Sequence, residues 1–202
     1  MAIHPGFPSS PYETLQPEIR WFPADETLRE TSSEKLLPPL VHKIRNQVKA
    51  WRDTHCQGAT DTSKTLLQWW FNYEHIVSKE DGTLFEFKYY FAQLEAIETV
   101  IYLYEVVKVK DKYDLIRFDS SGAVSAGMFY EDWLRLVIKM ATGSGKTKVM
   151  SLIVTWCYFH KLYERDSKLA TNFLIIAPNT IVLNRLRADF DGRRIFFKDR
   201  TS

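Results

Sequence analysis

Apolar residues first recur at helical spacing at Leu37, Leu40, Val41, Ile44, Val48 and Trp51, which predicts a helix with one buried face. Ser32 or Ser33 is its candidate cap. Pro38 and Pro39 fit only a first turn, so the regular part begins after them. His42, Lys43, Arg45, Lys49 and Arg52 lie off that stripe and read as a solvated face rather than a phosphate contact. Residues 53–63 read as a loop, and Leu66, Leu67, Trp69, Trp70 and Phe71 as a packing cluster. Asp81-Gly82 marks a turn. From about Tyr89 to Val107 the pattern predicts a long helix, with Leu94, Ile97, Ile101 and Tyr104 on one face; Ser120-Ser121-Gly122 then marks a loop. Before all of these, Pro5, Pro8, Pro11, Pro17 and Pro23 keep residues 1 to about 30 extended.

The C-terminal third changes period. Trp133-Leu134-Arg135-Leu136-Val137-Ile138-Lys139-Met140 reads as a buried strand, and a glycine-rich turn follows it. Val149, Met150, Leu152, Ile153, Trp156 and Cys157 then predict a helix to about His160. Asn172 to Pro178 reads as a second strand and Thr180 to Phe190 as a second helix. Strand, loop, helix, strand is the grammar of an α/β domain, a parallel sheet with flanking helices. A mainly helical N-terminal region precedes it.

Composition adds limits. The 202 residues are 45% apolar and 26% charged, with 6 Trp, 10 Tyr and 13 Phe, enough for a packed core. A net charge of +2 is too small to argue nucleic-acid binding by itself. Cys56 and Cys157 stand outside any CxxC or CxxH spacing, so neither zinc nor a disulfide framework is expected, and His55-Cys56 lacks a second ligand pair. No basic region precedes an apolar stretch at the N-terminus, and no run approaches the ~20 apolar residues of a membrane span. The expectation is a cytoplasmic protein with reduced thiols and no membrane partner.

Chemistry concentrates at Met140-Ala141-Thr142-Gly143-Ser144-Gly145-Lys146-Thr147. The phosphate-binding pattern is G-x-x-x-x-G-K-[ST]; Gly145, Lys146 and Thr147 fit it, and Met140 stands at its first glycine. A Gly-x-Gly-Lys-[Ser/Thr] string arises by chance in roughly one per cent of chains this long. Here it also lies between a predicted strand and a predicted helix. Gly143 and Gly145 permit backbone closed to other residues, so that N–H groups turn inward as an anion nest. The helix start adds its unpaired N–H groups. Lys146 supplies a point charge to the outer phosphates, and Thr147 a hydroxyl for Mg²⁺. Thr142, Gly143, Ser144, Gly145, Lys146 and Thr147 are thus the candidate ATP–Mg²⁺ cradle, with Lys146 and Thr147 in catalytic roles.

This octapeptide resembles motif I of superfamily two helicases and translocases, and within them the motor subunit of type III restriction enzymes, whose first position tolerates a non-glycine such as Met140. Two further segments agree. Phe173-Leu174-Ile175-Ile176-Ala177-Pro178-Asn179 with the following Val182 to Phe190 resembles motif Ia and its helix. That resemblance implies contact with a DNA backbone by Pro178, Asn179, Thr180 and Arg185. Phe91-Ala92-Gln93-Leu94-Glu95-Ala96-Ile97 resembles the Gln motif, which implies that Gln93 reads adenine; an amide can donate and accept in one plane. The likeness covers roughly residues 85–202 and implies the first part of a RecA-like lobe. Residues 1–84 are left as an N-terminal extended and helical region.

The family further implies a DNA-dependent ATPase and translocase acting on double-stranded DNA, coupled to cleavage and assembled with a methyltransferase recognition subunit. By the family's spacing its Walker B acid is expected about sixty or more residues after motif I, so the chain is expected to end before it, before the second lobe and before the nuclease domain. Asp81 with Glu86-Phe87-Lys88 mimics part of a nuclease site, but its spacing is too short to converge carboxylates on a metal. Asp191-Gly192 is a turn candidate. Two other readings stay open. One is a catalytically inactive nucleotide-binding module or remnant. The other is a P-loop small-molecule kinase, which needs a lid arginine that is not recognisable.

Overall fold

The computed structural model describes residues 40–78, 81–119, 122, 124–125, 127, 134–191 and 195. Several expectations fall outside them: the extended segment 1–30, the caps Ser32 and Ser33, Pro38 and Pro39, Ser120 and Ser121, Trp133 and Gly192. The chain divides into two compact units, Met1–Ala50 with Val109–Arg135, and Trp51–Lys108 with Leu136–Ser202.

The first unit holds most of α1 (Val41–Asp53), whose Ile44 and Val48 are buried as their spacing predicts. Lys43, on its polar side, donates to the Arg117 carbonyl at 2.7 Å. A short helix α4 (Lys112–Ile116) carries the buried Leu115, and Asp111 caps it by accepting from the Tyr113 and Asp114 backbone N–H groups. Nothing in the apolar pattern marks this five-residue helix; its signal is the cap alone.

The second unit begins with the last turn of α1. Trp51 is buried, and its indole N–H donates to the Gln57 carbonyl at 2.8 Å, tying down the loop that follows. His55, Cys56 and Gly58 all take positive φ there. Helix α2 (Asp61–Asn72) follows, capped by Thr60, with Leu67 and Trp70 buried and Trp69 exposed. So the predicted cluster splits: Leu67 and Trp70 face the core, while the exposed Trp69 lies against the Tyr73 and His75 rings. An antiparallel hairpin comes next, β1 (His75–Ser78) with β2 (Leu84–Phe87), in register His75 to Phe87 and Ser78 to Leu84. Asp81-Gly82 supplies its turn, Gly82 at φ +80° and the Asp81 carboxylate accepting from the Thr83 N–H at 2.9 Å. The predicted long helix is α3 (Phe91–Ile101), continued by a π-helical turn (Tyr102–Val106). Ile97 and Ile101 are fully buried. Arg52 grips Glu98 on the same helix through two nitrogens. Burial raises the Glu98 carboxyl above its ordinary value, and the guanidinium pulls the other way.

Helix α5 (Lys146–Tyr163) and helix α6 (Thr180–Phe190) complete the unit. Val149, Leu152 and Trp156 give α5 its buried face, and α5 packs on both α2 and α3. The expected parallel sheet is not formed among the described residues, whose one sheet is the β1–β2 hairpin. Residues 134–140 and 172–177 run without a strand ladder. The physical reason is that a strand is made by its neighbours: without a second backbone to pair with, an apolar β-branched run stays an open segment. Val137, Leu174 and Ile176 are accordingly more than four-fifths exposed. No helix among the described residues is long and apolar enough to cross a membrane.

Both cysteines are free thiols, and burial pushes each up to about 11. Near Cys56 the Glu98 carboxylate adds to that rise, against Arg52 and Lys64. The thiolate is the nucleophile, so alkylation at pH 8 should be about 100-fold slower in the folded chain than in denaturant. Equal rates for the two states, measured by mass spectrometry, would contradict this burial.

Candidate functional site

The phosphate-loop sequence folds into a tight turn entering α5. Gly143 and Gly145 take φ +81° and +80°, a region that Cβ-bearing residues rarely adopt. Gly145 is the N-cap of α5, so the positive end of an 18-residue helix faces the loop. Ser144 closes the turn, its hydroxyl donating to the Ala141 carbonyl at 2.7 Å. Lys146 folds across it, its ammonium donating to the Met140 and Ala141 carbonyls at 2.9 and 2.8 Å. An ammonium carries three donors. Two are thus held by the loop itself, which fixes the charge at the rim of the turn. Thr147 is the second residue of the helix.

Gln93 is brought to this loop from 50 residues upstream. It is buried at 3% exposure, on the same helix face as Ile97 and Ile101. Its carbonyl accepts from the Tyr90 N–H at 2.9 Å, which satisfies an orphan donor at the start of α3. Its amide nitrogen donates to the Ser144 carbonyl at 3.2 Å. A Cβ on Gly145 would overlap the Gln93 Nε2 and touch its Cδ at 3.4 Å. Gly145 is therefore required twice, by its backbone angle and by the side chain resting on it, whereas nothing lies within 4 Å of a Cβ on Gly143.

Lys148 holds the same region from the other side. Its ammonium lies 5.6 Å from the ring centres of both Phe87 and Tyr89, and donates to the Ile195 carbonyl at 3.0 Å. Tyr89 in turn meets Phe71, His75 and Phe87 edge to face or tilted, at 5.1, 5.8 and 4.9 Å. The hairpin is thereby bound to the helix that carries the loop. Sequence reading passed over this lysine; its signal was a second cation one residue beyond the Lys-Thr pair, behind an aromatic run at Phe85 to Phe91.

Pro178, Asn179, Thr180 and Arg185 are all exposed at the start of α6. Asn179 caps that helix, accepting from the Val182 N–H at 3.0 Å. Glu86 pairs with Lys88 at 2.9 Å on the outer edge of the hairpin, a surface ion pair. Among the described residues no group of three His, Cys, Asp or Glu converges on a metal position.

A family model for the type III restriction enzyme res subunit matches residues 86–201, more than half of the chain. The chain belongs to this family. Neither the curated proteins nor the solved structures contain a match to it. Membership implies a RecA-like P-loop fold and an ATP-hydrolysing, helicase-like motor of a type III restriction system. The matched span starts at Glu86 and takes in Gln93, the loop and α6.

In this Res chain the contact of Gln93 with Gly145 is directly testable. Gly143→Ala should cost about 1 kcal/mol of stability, from its left-handed φ alone. Gly145→Ala should cost about 1–2 kcal/mol more, because it displaces an amide with both hydrogen-bonding ends engaged. In a Gln93→Ala background that excess should vanish, as urea unfolding will measure. An excess that persists without Gln93 would contradict the contact.

Proposed function

We propose that this chain provides the ATP-binding part of a DNA-dependent ATPase and translocase, with residues 85–202 forming the first portion of its RecA-like lobe. The observation that carries the reading is the loop Gly143–Thr147, with two left-handed glycines, a helix N-terminus and a rim lysine, propped by Gln93. Thr142, Gly143, Ser144 and Gly145 would surround the phosphates with backbone N–H groups. Lys146 would shift its charge from the Met140 and Ala141 carbonyls toward the outer phosphate, and Thr147 would hold Mg²⁺ by its hydroxyl. A bound Mg²⁺ would neutralise charge on the phosphates.

Gln93 is the proposed adenine reader. Its amide has two donors and two acceptor lone pairs, and the protein uses one of each. The remaining N–H and lone pair match the donor and acceptor on the edge of adenine, not those of guanine. Pro178, Asn179, Thr180 and Arg185 are the proposed contacts to the backbone of double-stranded DNA. Their exposure supports the reading, and Asn179 would act through its backbone and the α6 start it caps. Coupling of hydrolysis to translocation and cleavage, a methyltransferase recognition partner and a cytoplasmic setting complete the proposal.

The 202 residues contain no D-E-x-[HD] string. The chain by itself is therefore expected to bind Mg·ATP and turn it over negligibly; substantial turnover by these residues would contradict the division of labour proposed for the motor. Lys146→Ala should abolish binding measured with a fluorescent ATP analogue, and Gln93→Ala should lower the preference for ATP over GTP. Unchanged affinity in the first or an unchanged ratio in the second removes that residue from the site. In an assembled enzyme, turnover should rise on adding duplex DNA; turnover indifferent to DNA would contradict the motor reading.

A further inference from the structure

The far end of the loop-bearing helix holds a buried polar cluster that the nucleotide site does not use. Glu105 and His160 are both buried, and the His160 Nε2 lies 3.2 Å from the Glu105 Oε1. The same carboxylate accepts from the Thr60 backbone N–H at 2.6 Å, from the Thr60 hydroxyl at 3.3 Å and from the Ser63 hydroxyl. It thus caps the N-terminus of α2, where an anion is favoured. His160 Nδ1 is 2.7 Å from the Ser167 hydroxyl, and the Tyr104 and Trp156 rings flank the imidazole at 5.7 and 5.6 Å. The Trp156 indole donates to the Ser63 hydroxyl at 2.7 Å.

The π-helical turn gives Glu105 its position. Gln93, Ile97, Ile101 and Glu105 are spaced by four. In a continuous α-helix each such step overshoots one turn by about 40°. The wider turn of residues 102–106, closed by the Val107 N–H on the Tyr102 carbonyl at 2.9 Å, takes back part of that drift. Glu105 therefore stays on the face that carries Gln93. The two helices then meet in the same chain sense at two polar points: Gln93 with Ser144 at one end, Glu105 with His160 at the other.

We propose that Glu105 and His160 are a positioning pair for nucleotide recognition, a clamp that fixes how α3 lies along α5 and so where the Gln93 amide sits over Gly145. This rests on the proposed role of Gln93 in reading adenine. Neither residue touches the nucleotide; both act through Gln93.

The test measures three affinities on the full chain: ATP, GTP and inorganic tripolyphosphate. Glu105→Gln and His160→Leu should each lower the ATP-to-GTP preference by about tenfold, the scale of one well-placed hydrogen bond, and weaken tripolyphosphate no more than Gln93→Ala does. His160→Gln, whose amide can still donate to Glu105, should restore most of the preference. In a Gln93→Ala background neither substitution should change the ratio further. A general structural role would instead weaken tripolyphosphate and both nucleotides beyond the loss seen in Gln93→Ala, and that result would overturn the proposal. So would a wild-type ratio in Glu105→Gln. Should the Glu105 variant fail to fold, Ser167→Ala, which removes only the partner of the His160 Nδ1, carries the same expectation in milder form. A wild-type chain with no ATP preference, or a preference unaffected by Gln93→Ala, would instead overturn the adenine reading itself.

Discussion

The side chain of Gln93 rests on Gly145 where a Cβ would otherwise stand, and this close approach organises the site around it. The amide joins two segments distant in sequence: it satisfies the backbone at the start of α3 through Tyr90 and holds the loop through Ser144. Because a buried amide leaves costly groups behind when displaced, the contact is harder to break than its two hydrogen bonds alone suggest. It also means that a side chain at the second glycine of the loop must displace the Gln93 amide, while the first is constrained by its backbone angle only.

Away from the loop, the helices are tied by their ends as much as by their apolar faces. Thr60, Glu105 and Glu164 all serve the start of α2, with the Thr62 hydroxyl donating to Glu164 at 2.5 Å. Glu105 belongs to the π-turn and Glu164 caps the end of α5, so one helix N-terminus collects a carboxylate from each of its two neighbours. Buried Ile97, Ile101, Leu152 and Trp156 supply non-directional attraction; the carboxylates set register. The segments 134–140 and 172–177 present the opposite case. Their apolar side chains are exposed because strand formation needs a paired backbone, which neither segment has among the described residues.

Much of this was legible in the residues. Four-residue spacing located α1 and α3, the glycine-lysine-threonine string located the loop, and Thr180 to Phe190 became α6 with the boundaries read for it. The hairpin was not read. Its strands are four residues long, and Leu84-Phe85-Glu86-Phe87 does not alternate cleanly, so only its Asp81-Gly82 turn gave a signal. Nor was the π-turn, because a local i→i+5 widening has no compositional mark; it answers to where Glu105 must point. Gln93 was legible as a base contact through the resemblance, while its hold on the loop was not, since spacing along one helix says nothing of a partner 51 residues away.

The central claim is that Gly143 to Thr147 form a phosphate cradle braced by Gln93. It is tested most directly by following backbone amide resonances of the isotope-labelled chain during titration with Mg·ATP. The account predicts that Gly143, Ser144, Gly145, Lys146 and Thr147 shift first and furthest, with the Gln93 side-chain amide moving in step. Shifts confined to other regions, or none at millimolar Mg·ATP, would contradict it.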